Sequence, residues 1–282
     1  MKDTIILTVF NRPELMLLNT FMGIANNDLS DTEILVVDDG STIDYTDFQA
    51  TLEGLPIRWL RRSTVHECPN TYNLGGHNNP AYVNNIAMNE AKGENLFWLS
   101  SDVILPPHAL DRARRWNPND VVWVPRTVDM DTAKEFCGPE RVFPMCWGVY
   151  TTKEHCVLAG GFDERYIEGM AFEDNDFMAR LAQRTGKLIV DLGVTVWHQS
   201  HAQVATSDGG DGYTRSEAYT RQKWGDAIPW TGQADDPLGM KMNQVEDILI
   251  VKVTKKEQKG KCGLRDAKPV EQVSVGGGSL GG

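Results

Sequence analysis

The 282-residue chain has no long apolar run: no window approaches the roughly 18 residues that a membrane-spanning helix needs. Its start, Met1-Lys2-Asp3, lacks the apolar run of a secretory signal. With no transmembrane segment and no leader, a soluble, cytoplasmic protein is the expectation. Positive charge is also in short supply. The 28 Lys and Arg against 39 Asp and Glu give a net charge of −11. That balance offers no general attraction to phosphate backbones or anionic membranes and disfavours nucleic acid as a partner. The five cysteines (Cys68, Cys137, Cys146, Cys156, Cys262) are odd in number and contain no C-x-x-C. They read as reduced structural thiols, not as a disulfide frame or a zinc cluster.

Two phosphate-binding devices are missing as well. The first strand-to-helix turn, Phe10-Asn11-Arg12-Pro13, has no glycine, so no G-x-G-x-x-G backbone cradles a pyrophosphate there. No G-x-x-x-x-G-K-[ST] occurs either. If a nucleotide binds, the charge of its diphosphate has to be met by something else, and a metal ion is the expected means.

What is present is ordinary for a globular α/β protein: 41% hydrophobic and 24% charged residues. Thr4 to Phe10 is a continuous apolar run that suits a strand buried on both faces. Pro13 then opens a helix with Leu15, Leu18, Met22 and Ala25 at helical spacing. Glu33–Val37, Ile57–Leu60, Asn95–Leu99 and Val121–Val124 read as further strands. Asn78–Lys92 reads as a helix capped by Gly93, and His108–Trp116 as another. Pro125 to Tyr150 is less regular. Beyond it come a Gly160-Gly161-Phe162-Asp163 turn, a helix from Glu173 to Arg184, and short strands at Lys187–Val190 and Thr195–Trp197. Arg215–Trp224 reads as a helix stopped by Gly225, and Val245–Val253 as a strand. Strands alternating with helices predict a doubly wound, mostly parallel sheet with helices on both faces. Residues 207–212 read as a flexible loop, and the polar, then glycine-rich run 258–282 as a flexible tail.

Acids fall at the ends of these strands. Asp38-Asp39-Gly40 follows the second and Ser100-Ser101-Asp102 the fourth. In open α/β sheets ligands sit outside the carboxyl ends of the strands, so Asp39 and Asp102 are placed to share one crevice. A plain turn explains Asp39 equally well in isolation. Glu173-Asp174-Asn175-Asp176 opens a helix, where acids also serve as simple caps against the helix dipole. His198 ends a strand, with His201 three residues on as a second candidate ligand.

Taken in order, these stretches resemble the family 2 glycosyltransferases of the GT-A fold. The resemblance rests on Ile5 through Pro13, on Ile34 through Thr42, on Asn84-Asn85-Ile86-Ala87 through Asp102, and on Ala159-Gly160-Gly161-Phe162-Asp163-Glu164 through Glu173-Asp174-Asn175-Asp176 to His198. The last stretch is also similar to galactosyl- and N-acetylgalactosaminyl-transferases, and Tyr219 and Lys223-Trp224-Gly225 extend the match. The resemblance implies a GT-A domain over residues 1–200. A C-terminal extension over 201–257 would carry acceptor or homo-oligomer contacts.

It also implies roles. Phe10 and Arg12 would flank the base of a nucleotide-sugar donor, UDP-linked. Asp39 would bond its uracil, and Ser101 would line the same site. Asp102 would hold Mn²⁺ or Mg²⁺ on the diphosphate, with His198 completing the metal site. Asp174 would be the catalytic base, while Glu173 and Trp147 would face the acceptor, a glycan, protein or other hydroxyl compound. One departure is plain: the family's Asp-x-Asp usually begins with an acid, and here that place is Ser100. Its loss is the best support for the alternative, a non-catalytic nucleotide-sugar or glycan-binding protein on the same fold. The chemistry implied is a metal-assisted, inverting displacement at the anomeric carbon, in which a carboxylate takes the acceptor's proton.

Overall fold

The computed structural model describes residues 1–61, 80–145, 147–168, 171–201, 211–225, 228–230 and 238–255. Cys68, Cys146, Cys262, the helix start at Asn78, most of the loop expected at 207–212 and the expected tail at 258–282 lie outside these residues. Cys137 and Cys156 are buried free thiols.

Among the described residues, eleven strands form one sheet. Strands β1 (Asp3–Val9), β2 (Thr32–Asp38), β3 (Ile57–Arg61) and β4 (Asn95–Trp98) pair in parallel in the order β4-β1-β2-β3. The sheet then extends beyond β4 through β8 (Val149–Thr152), β6 (Val122–Asp129) and β9 (Lys187–His198) to a hairpin of β11 (Ile248–Lys252) and β10 (Lys241–Val245). β6 and β9 are parallel, while β8 is antiparallel to both its neighbours. Two short strands, β5 (Val103–Ile104) and β7 (Glu135–Cys137), pair with β9 and β6.

The apolar runs are continuous because both faces of the sheet are covered. Ile6, Leu35, Val37 and Trp98 point into one core, shared with α3 (Ala81–Glu90), α5 (Lys153–Leu158) and α6 (Glu173–Thr185). Their neighbours Ile5, Leu7, Val36 and Phe97 point into the other, with α1 (Glu14–Ala25), α2 (Thr46–Ala50) and α4 (Ala109–Arg114). A seventh helix, α7 (Asp211–Trp224), lies C-terminal to the last long strand. No helix among the described residues is long and apolar enough to cross a membrane.

Several elements depart from their expected form. On α1 the buried residues are Leu17, Thr20, Phe21 and Ile24, whereas Leu15 and Met22 are exposed. Two apolar stripes share this helix, and the one carrying the aromatic ring wins the core. The helix expected to end at Gly93 stops at Glu90 with Ala91 as its C-cap. Gly93 instead lets the chain pass close to β1, since a Cβ there would lie 2.5 Å from Asp3 C and Thr4 N. The strands expected at Lys187–Val190 and Thr195–Trp197 are one strand. The break between them is a bulge, where Pro125 pairs with Asp191 and the next residue, Arg126, with Thr195. The irregular middle holds β7 and β8, and Val245–Val253 is the turn and second strand of a hairpin.

Candidate active site

The carboxyl ends of β2, β1 and β4 stand side by side, because Val9 pairs with Asp38 and Ile6 with both Leu35 and Trp98. The loops leaving them are tied together. Asn11, at φ 48°, accepts through Oδ1 from Thr42 N at 2.7 Å, and Ser41 Oγ accepts from Asn11 N at 2.9 Å. Asp39 is buried, with its backbone N–H on Val9 O at 2.8 Å, and half-buried Phe10 lies one residue past that carbonyl. Tyr45 OH donates to Arg12 O at 2.7 Å. The expected base-flanking residues Phe10, Arg12 and Asp39 thus gather on one rim.

Arg12 reaches from this rim to the end of β4. Its Nε donates to Ser101 Oγ at 3.3 Å, and its terminal nitrogen pairs with Asp102 Oδ2 at 2.6 Å. Asp102 is 2% exposed. The other oxygen of its carboxylate accepts from Ser100 Oγ at 2.6 Å. Ser100, at the place where the resemblance implies an acid, thus hydrogen-bonds Asp102. His201 Nε2 lies 3.0 Å and His198 Nε2 3.9 Å from Asp102 Oδ2. Burial works against ionisation of Asp102. The hydrogen bond from His201, the charge of Arg12 and the Ser100 hydroxyl outweigh it and hold the carboxyl down to about 2.

Asp102, His198 and His201 each offer a ligand atom within 4.8 Å of the others. Two imidazoles and one carboxylate are a donor set suited to Mn²⁺ and other first-row transition ions. They suit Mg²⁺ poorly, because Mg²⁺ favours oxygen ligands. The residues present fit the implied cation. One ring of the set is also clamped. Trp147 stacks on His198 with centroids 4.7 Å apart and planes 20° apart, and Phe136 meets Trp147 edge-on at 4.6 Å.

One participant was not expected. Asp129, the last residue of β6, accepts from His198 Nδ1 at 3.1 Å. It lay in the stretch that read as irregular. Only the β6–β9 register, which sets Asp129 opposite His198, brings the two together.

The acid cluster opens α6 after two residues in the left-handed region, Ala171 at φ 65° and Phe172 at φ 71°. Such backbone costs about 1–3 kcal/mol per residue and persists where surrounding structure enforces it, often at functional sites. Here Phe172 packs on Tyr213 of α7, and Phe177 packs on Trp98 at the end of β4. The first turn of α6 is thereby set beside the carboxyl end of β4. Asp174 Oδ1 accepts from Asn175 N at 2.7 Å, and burial pushes its carboxyl up to about 6. Glu173 is 8% exposed, next to it.

Asp176 is fully buried and structural. Arg180 pairs with it at 2.7 Å, Trp224 Nε1 donates to it at 2.8 Å, and Lys223 Nζ bridges it at 2.6 Å to Asp163 at 2.7 Å. Lys223-Trp224 thus straps α7 onto the acid-bearing helix. Removing a buried partner leaves uncompensated charge. Lys223→Met is therefore expected to cost about 3 kcal/mol, a fall of roughly 6–10 °C in Tm by thermal denaturation. A shift below about 2 °C would mean that Arg180, Trp224, Tyr219 and Arg165 satisfy the two acids unaided.

The acids and bases gather at the carboxyl ends of parallel strands, where open α/β sheets bind their ligands. Residues 4–136 match the model of glycosyl transferase family 2. No curated protein sequence matches the chain. Among solved structures, TarS 1–349 of S. aureus aligns at 17% identity with a TM-score of 0.55, covering 71% of this chain and 60% of that one. Its complex with UDP-GlcNAc aligns at 14% identity with a TM-score of 0.58, covering 78% and 67%. GalNAc-T7 with UDP, GalNAc and Mn²⁺ aligns at 12% identity and 0.56, covering 81% and 52%. At such identities the likeness establishes the GT-A fold. The chain spans about half to two thirds of the length of these neighbours.

Proposed function

We propose that this chain is a glycosyltransferase that moves a sugar from a UDP-linked donor to an acceptor hydroxyl, by one displacement that inverts the anomeric carbon. The observation that carries this reading is the meeting of Asp102, His198 and His201 at the end of a strand within the family 2 match. It supplies a site for diphosphate charge in a fold whose first turn has no glycine cradle. The solved neighbours carrying UDP, UDP-GlcNAc or Mn²⁺ support the same donor class.

Asp39, Phe10 and Arg12 hold the nucleoside end, and Ser101 positions the Arg12 guanidinium. Asp102, His198 and His201 would hold Mn²⁺, which when bound neutralises charge on the departing diphosphate. Asp174 takes the acceptor's proton as the acceptor oxygen bonds to the anomeric carbon and the bond to the diphosphate oxygen breaks. Glu173 and Trp147 face the acceptor, a glycan or a protein hydroxyl. The alternative is a non-catalytic nucleotide-sugar or glycan-binding protein on the same fold, with Ser100, bonded to Asp102 at 2.6 Å, in the place of an acid.

The test is UDP release, measured across a panel of UDP-sugars and hydroxyl acceptors. Turnover with at least one pair is expected, and UDP binding without turnover on every pair would favour the binding protein. The pH profile adds a second check. A base must be ionised to accept a proton, so kcat/KM should fall about tenfold per unit below pH ~6 and level off above it. An acid limb centred near pH ~4, the ordinary carboxylate range, would detach Asp174 from the base role.

A further inference from the structure

His198 could present either ring nitrogen to a cation, and the choice depends on what holds the other one. Its Nε2 faces Asp102, while its Nδ1 lies 3.1 Å from Asp129 Oδ2. Asp129 is 6% exposed, and its carboxylate is fixed from several sides. Thr132 N donates to Oδ1 at 2.9 Å and Thr132 Oγ1 at 2.8 Å. Ser200 Oγ lies 2.9 and 2.8 Å from the two oxygens. Backbone bonds fix the strand end as well, from Asp129 N to Lys134 O at 2.9 Å and from Met130 N to His198 O at 3.0 Å. These bonds hold the carboxylate toward His198.

We propose that Asp129 is a positioning residue that holds the proton of His198 on Nδ1 and so presents the Nε2 lone pair to the cation beside Asp102. This inference rests on the metal reading of Asp102, His198 and His201. Ionised Asp129 only accepts hydrogen bonds, so Nδ1 must be the donor and Nε2 the free lone pair. A carboxylate behind a ligating imidazole fixes ring orientation and raises ligand basicity, and its loss commonly costs 10–100-fold in metal affinity. The tetrapeptide His198-Gln199-Ser200-His201 is divided accordingly. Its two histidines face Asp102, Ser200 backs Asp129, and Gln199 is tied to α1 through Asn19 and Met16 O. Trp147, stacked on the ring, blocks a flip that would exchange the nitrogens.

Two readouts test it. The first is the His198 tautomer in metal-free protein, read from ¹⁵N–¹H couplings of the ring. Nδ1–H is expected in the wild type and a mixture in Asp129→Ala. The second is Mn²⁺ affinity by electron paramagnetic resonance of the free ion. Asp129→Ala should weaken binding about 10–100-fold. Asp129→Asn, whose Oδ1 still accepts, should weaken it less. The double variant Thr132→Val/Ser200→Ala, which keeps the imidazole contact, should stay within about threefold of the wild type, well short of the loss expected from a missing imidazole partner.

An Nε2–H tautomer in the wild type overturns the proposal and leaves the metal reading standing. So does a double variant as weak as Asp129→Ala, because turn integrity then carries the effect. A wild type that binds no Mn²⁺ removes the metal reading and this role together.

Discussion

Asp174→Asn is expected to lower kcat by about 10³–10⁴-fold, or about 4–5 kcal/mol of transition-state stabilisation, while leaving UDP affinity within a few-fold. The size follows from the role. An acceptor hydroxyl is a poor nucleophile, and a positioned base contributes about 10²–10⁴-fold. The amide has nearly the carboxylate's shape, and its Oδ1 can still accept from Asn175 N, so α6 should start at the same residue. Folding is not at risk, because the carboxyl is held above its ordinary value by burial. Replacing such a group by a neutral one leaves Tm unchanged or raises it slightly. Steady-state UDP release, UDP titration calorimetry and thermal denaturation on one preparation separate these quantities. Residual kcat within about tenfold of the wild type, below the range of general base catalysis, would move the base to the neighbouring Glu173, for which Glu173→Gln is the companion variant. A parallel loss of UDP affinity would place Asp174 at the donor instead.

Much of this architecture was legible because burial on two faces leaves a plain trace. Thr4–Phe10 and Glu33–Val37 are unbroken apolar runs, and each became a parallel strand whose alternate side chains enter two cores. Asp39 and Asp102, after the second and fourth runs, are expected to share one crevice because ligands sit outside the carboxyl ends of strands. Leu15, Leu18 and Met22 misled because spacing identifies a helix but not which of two apolar stripes faces inward. Asp129 was invisible for a related reason. Its place opposite His198 depends on pairing across 69 residues, shifted by the bulge after Pro125, and nothing local encodes that register. His198 and His201 were legible as a pair, although spacing alone could not choose between them. The fold brings both within 4 Å of one carboxylate oxygen, so either or both can serve. Lys223-Trp224-Gly225 was visible as a motif, but its work as a strap between Asp163 and Asp176 appears only when α7 lies against α6.

Asp102→Asn is the second large effect expected: Mn²⁺ affinity down at least about 100-fold, with activity down about 10³-fold. Excess EDTA on the wild type should remove activity to a similar degree, and added Mn²⁺ should restore it better than Mg²⁺. The ranking of ions follows from the two imidazoles in the donor set. Asparagine keeps the volume and the bond from Ser100 but not the charge that Arg12 faces at 2.6 Å. Part of any loss could therefore come from an unpaired guanidinium that turns toward the donor or away from it. The double variant Arg12→Met/Asp102→Asn separates the causes. If the missing ligand is responsible, Mn²⁺ affinity stays low in the double variant, whereas recovery would assign the defect to Arg12. His198→Ala and His201→Ala then apportion the nitrogen donors. His198, stacked under Trp147 and backed by Asp129, is pre-set for ligation, so its loss should cost more than that of His201, which is more exposed. Equal losses would make the two imidazoles equivalent ligands. A larger loss at His201 would make it the principal nitrogen donor and His198 a wall of the acceptor cleft. Full activity of the wild type in excess EDTA would withdraw the cation from all three residues and leave Arg12 as the positive charge that faces the diphosphate.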